Sequence, residues 1–344
     1  MAPQPPVRFS AIGLNHPHIY GQTDLLLRAG AELVSFHAVE PELAGQYTAA
    51  FPQASLARCV DEILEDDTID LVVSAAIPSD RARVGIAAMT HGKDFMSDKP
   101  GFTTMADLFE ARRVRAEAQR IYSICFSERL ESRATVKAQE LVSAGAIGQA
   151  VHTIGIGPHR INASRRPPWF FDRERYGGIL IDIASHQIDQ YVVFTGSSDI
   201  EIAASTVANY KYPEYPDLED FGEALLRSER ATGYIRVDWY TPDGLETWGD
   251  TRLMILGTDG TIELRKNCDL CGRPGGDHLF LVDLKGTHYV DCSDVDLPYG
   301  RQLLADIRNR TETSMRQSHP FLVSELALKG QAQAKRMGHL NNGQ

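Results

Sequence analysis

The sequence predicts an α/β protein: a doubly wound parallel sheet followed by an α+β domain with a large open, mostly antiparallel sheet. Between Val7 and Phe126, short apolar runs alternate with helical patterns, as in sheets covered by helices on both faces. One run, Asp70–Ala76, is almost wholly apolar, which is typical of a strand buried on both faces. Beyond Ile200, alternating strand patterns separated by turn residues predominate, which indicates an antiparallel sheet.

The elements of the first domain follow in order along the chain. Short apolar runs predict its strands, and apolar residues spaced three or four apart predict its helices. The expected strands are Val7–Leu14, Glu32–Val39, Asp70–Ala76, Phe95–Ser97 and Tyr122–Phe126, and the expected helices are Tyr20–Arg28, Glu42–Phe51, Arg81–His91 and Met105–Arg120. We place this domain at residues 1–127 and the second domain at residues 128–344.

The second domain has a different pattern. Its expected first elements are a helix at Ala134–Ala144, a strand at Ala150–Ile156, a loop rich in Pro and Arg at Pro158–Tyr176 and one long apolar helix at Ile179–Phe194. Strand patterns then run from Ile200 to Val290, divided by turns such as Pro242-Asp243-Gly244. Two helices, near Gly300–Arg310 and Leu322–Lys335, complete the expected architecture.

Composition excludes several classes of partner. A length of 344 residues suits two domains. The 46 acidic and 35 basic residues give a net charge of −11, which opposes binding to nucleic acid, because phosphate binding needs clustered Lys and Arg. No apolar run is long enough to predict a membrane span. The five cysteines are scattered and odd in number, so we expect no disulfide framework and a cytoplasmic location.

The first strand-to-helix turn carries the first candidate site. Its sequence is Gly13-Leu14-Asn15-His16-Pro17-His18, placed where a Rossmann domain has the fingerprint Gly-x-Gly-x-x-Gly. Only the first glycine is kept. Asn15, at the second position, tolerates a left-handed backbone, and the helix that follows presents N–H groups to a pyrophosphate. We therefore expect dinucleotide contacts from Gly13, Asn15, His16 and His18.

An acidic residue after the second strand supports the same hypothesis. Glu40 lies 22 residues after His18, where a carboxylate can accept hydrogen bonds from the adenosine ribose hydroxyls. The same charge repels a 2′-phosphate, so NAD is favoured over NADP. The alternative is that Glu40 caps the helix beginning at Pro41. We add Pro78, which follows the third strand, to the expected cofactor contacts.

Two motifs suggest catalytic chemistry. Lys99, in Ser97-Asp98-Lys99-Pro100, follows a parallel strand at the sheet edge that binds ligands, where its ammonium can stabilise an alkoxide. Asp182 and His186 lie four residues apart in an apolar helical pattern after Gly177-Gly178, so they should share one face. Histidine can accept a hydroxyl proton near neutral pH. The alternative for Lys99 is an ordinary lysine in a surface turn. The alternative for Asp182 and His186 is a polar pair whose members satisfy each other's hydrogen-bonding needs.

These motifs together resemble the glucose–fructose oxidoreductase / inositol dehydrogenase / rhizopine-catabolism family (Gfo/Idh/MocA). Asp98-Lys99-Pro100 is similar to the family's Glu-Lys-Pro, and the segment from Gly177 to His186 is similar to its Gly-Gly-x3-Asp-x3-His. The resemblance implies that Lys99, Asp182 and His186 are catalytic, with His186 as general acid/base and Lys99 contacting the nicotinamide ribose. Asp98 departs from the family's Glu. Ser127-Glu128-Arg129 keeps only the Arg of its Asn-x-Arg.

The expected function is an NAD(P)-dependent oxidoreductase that transfers hydride between nicotinamide and a sugar, polyol, inositol or related alcohol. Two alternatives remain: a redox-assisted hydrolase or lyase that keeps its NAD, and a non-catalytic protein that senses NAD. The resemblance makes Arg129, Arg160 and Trp169 candidate substrate contacts, although Arg160 and Trp169 can instead tie their loop to the sheet.

Members of the family often form oligomers through sheet faces, so the resemblance predicts a homodimer or homotetramer built on the open sheet. We expect Ile235, Val237 and Trp239, which share one parity, to lie on its exposed face. The lone Cys268-Asp269-Leu270-Cys271 motif lacks the second pair of a zinc ribbon, so no metal is expected.

Overall fold

A computed structural model of the chain describes residues 5–338. These residues form two compact units. The first comprises the chain up to Cys125 together with Pro298–Ser324, and the second comprises Phe126–Leu297 and the chain from Glu325 onward. No helix within the described residues combines the length and the apolar content needed to cross a membrane.

The first unit contains a six-stranded parallel sheet. Its strands are β1 (Arg8–Ile12), β2 (Glu32–His37), β3 (Ser55–Leu56), β4 (Leu71–Ser74), β5 (Asp94–Asp98) and β6 (Tyr122–Cys125), and its first helices are α1 (His18–Arg28), α2 (Pro41–Ala50), α3 (Val60–Leu64), α4 (Pro78–Thr90) and α5 (Met105–Ala118). The strand order β3-β2-β1-β4-β5-β6 is doubly wound, because the chain runs outward from β1 in both directions. This confirms the predicted fold class. The sequence analysis missed β3 and α3, which are too short to show a period.

The second unit is built on a nine-stranded mixed sheet. The remaining elements are α6 (Ser127–Leu130), α7 (Arg133–Ser143), β7 (Ala150–Pro158), α8 (Arg173–Tyr176), α9 (Ile179–Asp182), α10 (Ala184–Thr195), β8 (Ile200–Ala208), β9 (Phe221–Ser228), β10 (Thr232–Asp238), β11 (Arg252–Gly257), β12 (Thr261–Arg265), β13 (His278–Asp283), β14 (Gly286–Val290), α11 (Tyr299–Asn309), α12 (Ser318–Gln333) and β15 (Lys335–Arg336). The order is β14-β13-β12-β11-β7-β10-β9-β8-β15. Only β7–β10 and β8–β15 pair in parallel, so the sheet is mostly antiparallel as predicted.

The partition of the chain differs from the predicted boundary after residue 127. Residues Pro298–Ser324, expected in the second domain, belong to the first unit. Buried polar contacts explain this: the Tyr299 hydroxyl lies 2.8 Å from the Ser123 hydroxyl, and Arg310 makes hydrogen bonds of 2.7 and 2.8 Å to Asp94. These contacts connect the C-terminal segment to β5 and to the edge strand β6. Such long-range pairings leave no periodic signal in the sequence.

The prediction of which face of the second sheet is exposed is wrong. Ile235, Val237 and Trp239 are only 1%, 0% and 4% exposed, because their parity faces α10 and the core. The opposite parity faces outward and forms a row in continuous register across seven strands. We call this the outer row: Leu225, Tyr234, Ile154, Met254, Glu263, Phe280 and Tyr289.

The predicted long helix from Ile179 to Phe194 is interrupted. Helix α9 ends at Asp182, α10 begins at Ala184, and the His186 N–H donates to the Ile183 carbonyl at 3.1 Å. Ile183, between the two helices, keeps a right-handed helical backbone with φ of −97° and ψ of −48°. The interruption lies between Asp182 and His186, and their placement on one face stays a prediction.

Candidate functional site

The turn after β1 retains a glycine for a steric reason. Gly13 has φ of +78°, and a Cβ there would lie 2.5 Å from the Cβ of Ala76. Its N–H donates to the His37 carbonyl at 3.0 Å, and the N–H of His16 donates to the Ala75 carbonyl at 2.8 Å. The turn is thereby held against the ends of β2 and β4, and α1 begins at its far side. Only glycine satisfies both the backbone conformation and the close approach.

Glu40 lies beside this turn. Its carboxylate Oε1 accepts a hydrogen bond of 2.8 Å from the Asn15 side-chain amide. Although Glu40 is the residue preceding α2, its side chain makes no capping hydrogen bond. The structure therefore shows Glu40 bonded to Asn15, and its side chain does not cap α2. Pro78 is the buried first residue of α4.

Two histidines occupy the fingerprint positions beyond Asn15, and both face one buried carboxylate. His18 Nδ1 lies 2.9 Å from Asp98 Oδ1, and His16 Nδ1 lies 3.5 Å from Asp98 Oδ2. The fully buried guanidinium of Arg81 lies 3.0 Å from the same Oδ2. Arg81 also donates to the carbonyls of Ala76, Lys99 and Pro100. Arg81 thus fixes the backbone of Lys99 and the carboxylate of Asp98 together.

The protonation states of this cluster follow from its charges. Burial raises the pKa of Asp98, but His18 and Arg81 outweigh it and hold this pKa well below its usual range. Burial, followed by the neighbouring His18, holds the pKa of His16 well below its usual range. At neutral pH, Asp98 is therefore ionised and His16 is neutral.

The cluster offers both a metal-like and an anion-like geometry. Ligand atoms of His16, His18 and Asp98 all lie within 4.8 Å of one another, a set that zinc accepts. However, Arg81 already occupies Asp98, and the charge of Lys99 also acts on His16. A divalent cation would meet these fixed positive charges and the N-terminus of α1. The surroundings favour an anion such as a pyrophosphate, so the turn fits a dinucleotide.

In the second unit, the glycine pair before Asp182 is explained by backbone and packing. Gly177 and Gly178 have φ of +93° and +110°, and a Cβ on Gly178 would approach the Gln331 side chain to 2.4 Å. The first N–H groups of α9 donate to buried side chains: Ile179 to Glu219 at 3.0 Å and Leu180 to Gln331 at 3.0 Å. These contacts fix the start of the segment that carries Asp182.

His186 is buried next to a charged network that the sequence analysis missed. The carboxylate of Glu128 accepts hydrogen bonds from Lys266 at 2.9 Å and from Gln187 at 3.1 Å. Gln190 bridges the network, because its amide donates to the His186 carbonyl at 2.8 Å and its oxygen accepts from Lys266 at 2.7 Å. Burial raises the pKa of Glu128, but Lys266 and then His186 lower it to about 2. Glu128 is therefore ionised, and its carboxylate interacts electrostatically with His186.

The expected substrate residues are largely engaged with the protein. Arg129 forms a buried bidentate pair with Asp189, at 2.7 and 2.8 Å. Arg160 donates to the carbonyls of Pro242 and Leu245, which ties its loop to the segment after β10. Trp169 is partly exposed and packs edge-on against Phe170. These contacts favour structural roles for Arg129 and Arg160.

Comparison with known proteins agrees with the fold and the motifs. The family model of the GFO/IDH/MocA C-terminal domain matches residues 135–263. A candidate oxidoreductase from Erwinia carotovora atroseptica SCRI1043 is 41% identical, with 96% of this chain and 100% of that chain covered and a TM-score of 0.94. This chain belongs to the GFO/IDH/MocA family.

Other proteins similar to this chain are more distant. A D-xylose dehydrogenase of Paenarthrobacter nicotinovorans is 26% identical over 160 residues, which are 43% of this chain and 41% of that protein. The chain spans about half the length of the curated relatives it matches, between 41% and 57%. A levoglucosan dehydrogenase in complex with NADH and levoglucosan has the same fold, with 18% identity, a TM-score of 0.78 and coverage of 95% of this chain and 98% of that chain.

The lowered pKa of His16 predicts a pH dependence of stability. Below about pH 6.5 the unfolded chain takes up a proton that folded His16 excludes, so the free energy of unfolding should decrease as pH falls. The slope from this residue is at most about 1.4 kcal/mol per pH unit. Urea unfolding at about pH 7 and about pH 5.5 should therefore show a smaller pH effect in His16→Gln than in the wild type. His91→Gln, at an exposed position, is the control. Equal pH effects in all three proteins would contradict the assignment.

Proposed function

We propose that this GFO/IDH/MocA protein is an NAD-dependent dehydrogenase that moves hydride between nicotinamide and the carbinol carbon of a sugar, polyol or inositol. The observation that carries the proposal is the turn at Gly13, with Asn15 bonded to Glu40 and with Lys99 fixed through Arg81 in the same unit. The free cysteines of the described chain support a reducing compartment, the cytoplasm.

Each catalytic role follows from the chemistry of the side chain. His186 takes the hydroxyl proton, and ionised Glu128 stabilises the imidazolium that results. Asp182 binds the substrate hydroxyl or orients the imidazole. The ammonium of Lys99 stabilises the developing alkoxide and contacts the nicotinamide ribose. NAD, when bound, supplies the hydride acceptor.

Glu40 is proposed to select NAD. Its second carboxylate oxygen can accept from the adenosine ribose while Oε1 holds Asn15, and its charge repels a 2′-phosphate. Among proteins of this fold, the levoglucosan dehydrogenase complex contains NADH, the cofactor proposed here.

Replacing Glu40 should change the preference between dinucleotides. In Glu40→Ala we expect NAD affinity to fall about tenfold or more, through the loss of a charged hydrogen bond, and NADP affinity to rise relative to NAD. Titration of both dinucleotides, followed by protein fluorescence, measures this. Glu42→Ala, in the first turn of α2, should leave both affinities unchanged. A wild type that prefers NADP would refute the assignment of Glu40.

The decisive test of the reaction is a screen of polyols, sugars and inositols with NAD, followed by absorbance of NADH. We expect NADH formation by the wild type and a kcat about 10²- to 10⁴-fold lower in His186→Ala. His288→Ala, on exposed β14, should retain wild-type activity. NAD binding with product but no net NADH would favour the hydrolase or lyase, and NAD binding without any product would favour a sensor.

We also propose that the outer row forms a homo-oligomer interface. Leu225, Met254 and Tyr289 of this row are 47%, 44% and 47% exposed, and exposed apolar side chains grouped on one sheet face often mark a contact surface. Met254→Glu should dissociate the oligomer, as measured by light scattering after size exclusion. Phe109→Glu, at a residue 50% exposed on α5, is the matched control. A wild type that is monomeric at micromolar concentration would exclude this interface.

A further inference from the structure

Arg166 lies in the loop between β7 and α8 and is held in a fixed position. Its guanidinium carbon lies 4.4 Å from the ring centre of Phe170 and 5.2 Å from that of Trp239. Its Nε donates to the Ile161 carbonyl at 2.8 Å, and Nη2 makes a longer contact of 3.5 Å with the Arg160 carbonyl. The two rings and the Ile161 carbonyl therefore orient the guanidinium fork, that is, its two terminal NH2 groups. Little side-chain entropy is then lost when the fork binds a further group.

The charge of Arg166 has no acidic partner at ion-pair distance among residues 5–338. Half-buried Arg173 has Glu219 at 2.9 Å, and buried Arg129 has Asp189 at 2.7 Å. Burial lowers the pKa of Arg166, and Asp182 opposes this only from beyond ion-pair distance. A desolvated charge without a paired counter-ion is costly, so a fold keeps it where a ligand supplies the opposite charge.

One edge of the fork remains available. Nη1 donates no hydrogen bond within the described chain, yet it is absent from the fully buried atoms that lack a partner. It therefore retains access to solvent. The same guanidinium lies in the electrostatic field of Asp182, one of the proposed catalytic residues.

We propose that Arg166 binds a carboxylate of the substrate, so that the alcohol oxidised by this protein is a sugar acid or another polyhydroxy carboxylate. This rests on the proposed dehydrogenase function and names its substrate class. A neutral diol can accept from Nη1 but leaves the charge uncompensated, whereas a carboxylate accepts from the fork and neutralises it. Arg160, the arginine that the sequence suggested, is already occupied by the carbonyls of Pro242 and Leu245.

The test compares acids with neutral molecules of the same carbon skeleton. The probes are gluconate with glucitol, xylonate with xylitol, and galacturonate with galactose, titrated calorimetrically into the full chain with and without NAD. At least one acid should bind about ten- to a hundredfold more tightly than its neutral partner, as a charged hydrogen-bonded pair implies. Arg166→Met should remove that difference, and Arg166→Lys should retain part of it, since it keeps the charge without the fork.

Arg165→Met is the matched control, because Arg165 is the exposed neighbour and its loss changes the net charge equally. It should keep the preference for the acid. The proposal is overturned if no acid binds, if acid and neutral partner bind equally, or if the preference survives Arg166→Met. It is also overturned if Arg165→Met and Arg166→Met lose the preference alike. Arg166→Lys and thermal unfolding of each variant separate a lost contact from a lost fold.

Failure of the dehydrogenase proposal is measured separately. Absence of NAD binding or of NADH formation would refute that function, while the preference for acids is a binding result in its own right. Conversely, NADH formed from neutral polyols at the same rate by wild type and Arg166→Met would leave the dehydrogenase intact and overturn the carboxylate assignment.

Discussion

The guanidinium of Arg81 joins the carboxyl ends of two neighbouring strands of the parallel sheet. It is wholly buried, it donates to the Ala76 carbonyl after β4, and it binds both the carboxylate of Asp98 and the carbonyl of Lys99 at the end of β5. A buried arginine and a buried aspartate are costly alone, and each compensates the other here. The position of Lys99 depends on this pair, because the guanidinium of Arg81 also donates hydrogen bonds to the carbonyls of Lys99 and Pro100.

The same pair explains the unusual fingerprint. Where the fingerprint has its third glycine, His18 reaches Asp98 at 2.9 Å, and His16 lies against the other carboxylate oxygen. The departure at the third glycine and the departure from Glu to Asp before Lys99 therefore occur at two residues in direct contact, His18 and Asp98. The carboxylate of Asp98 holds imidazoles at the start of α1. Arg81 and the two histidines surround this carboxylate and compensate its negative charge, so the carboxylate does not oppose an anion at the start of α1.

The periodic parts of the fold were predictable from sequence, and the long-range parts were not. Alternation of apolar runs identified the doubly wound sheet, and the retained Gly13 identified its turn, because strand burial and backbone sterics act locally. The return of Pro298–Ser324 to the first unit depends on contacts such as Arg310 with Asp94, which have no local signature. The outer face was assigned to the wrong parity because the more apolar set, including Val237, was taken for an interface when it is core.

At the site, residue types were predictable but their partners were not. Asp182 and His186 stand out as polar residues in an apolar stretch, whereas the interruption of the helix at Ile183 between them has no signal in the sequence. Glu128 could have been suspected only by asking what compensates a buried Lys266, a residue that shows no motif. Arg81 is similar: an ionised Asp98 at the end of a buried strand requires a nearby cation, but not one at a defined position in the sequence.

The buried charges of the second unit are compensated in two different ways. One ion pair involves only its two members, and the other lies next to the proposed catalytic residue His186. Arg129 and Asp189 neutralise each other through two hydrogen bonds and make a closed pair. Glu128 and Lys266 also neutralise each other, but the carboxylate of Glu128 interacts electrostatically with His186 as well. A histidine beside such a pair can gain and lose a proton while the network stays hydrogen-bonded. This arrangement supports the general acid/base role proposed for His186, because such a group must gain a proton and lose it again in each turnover.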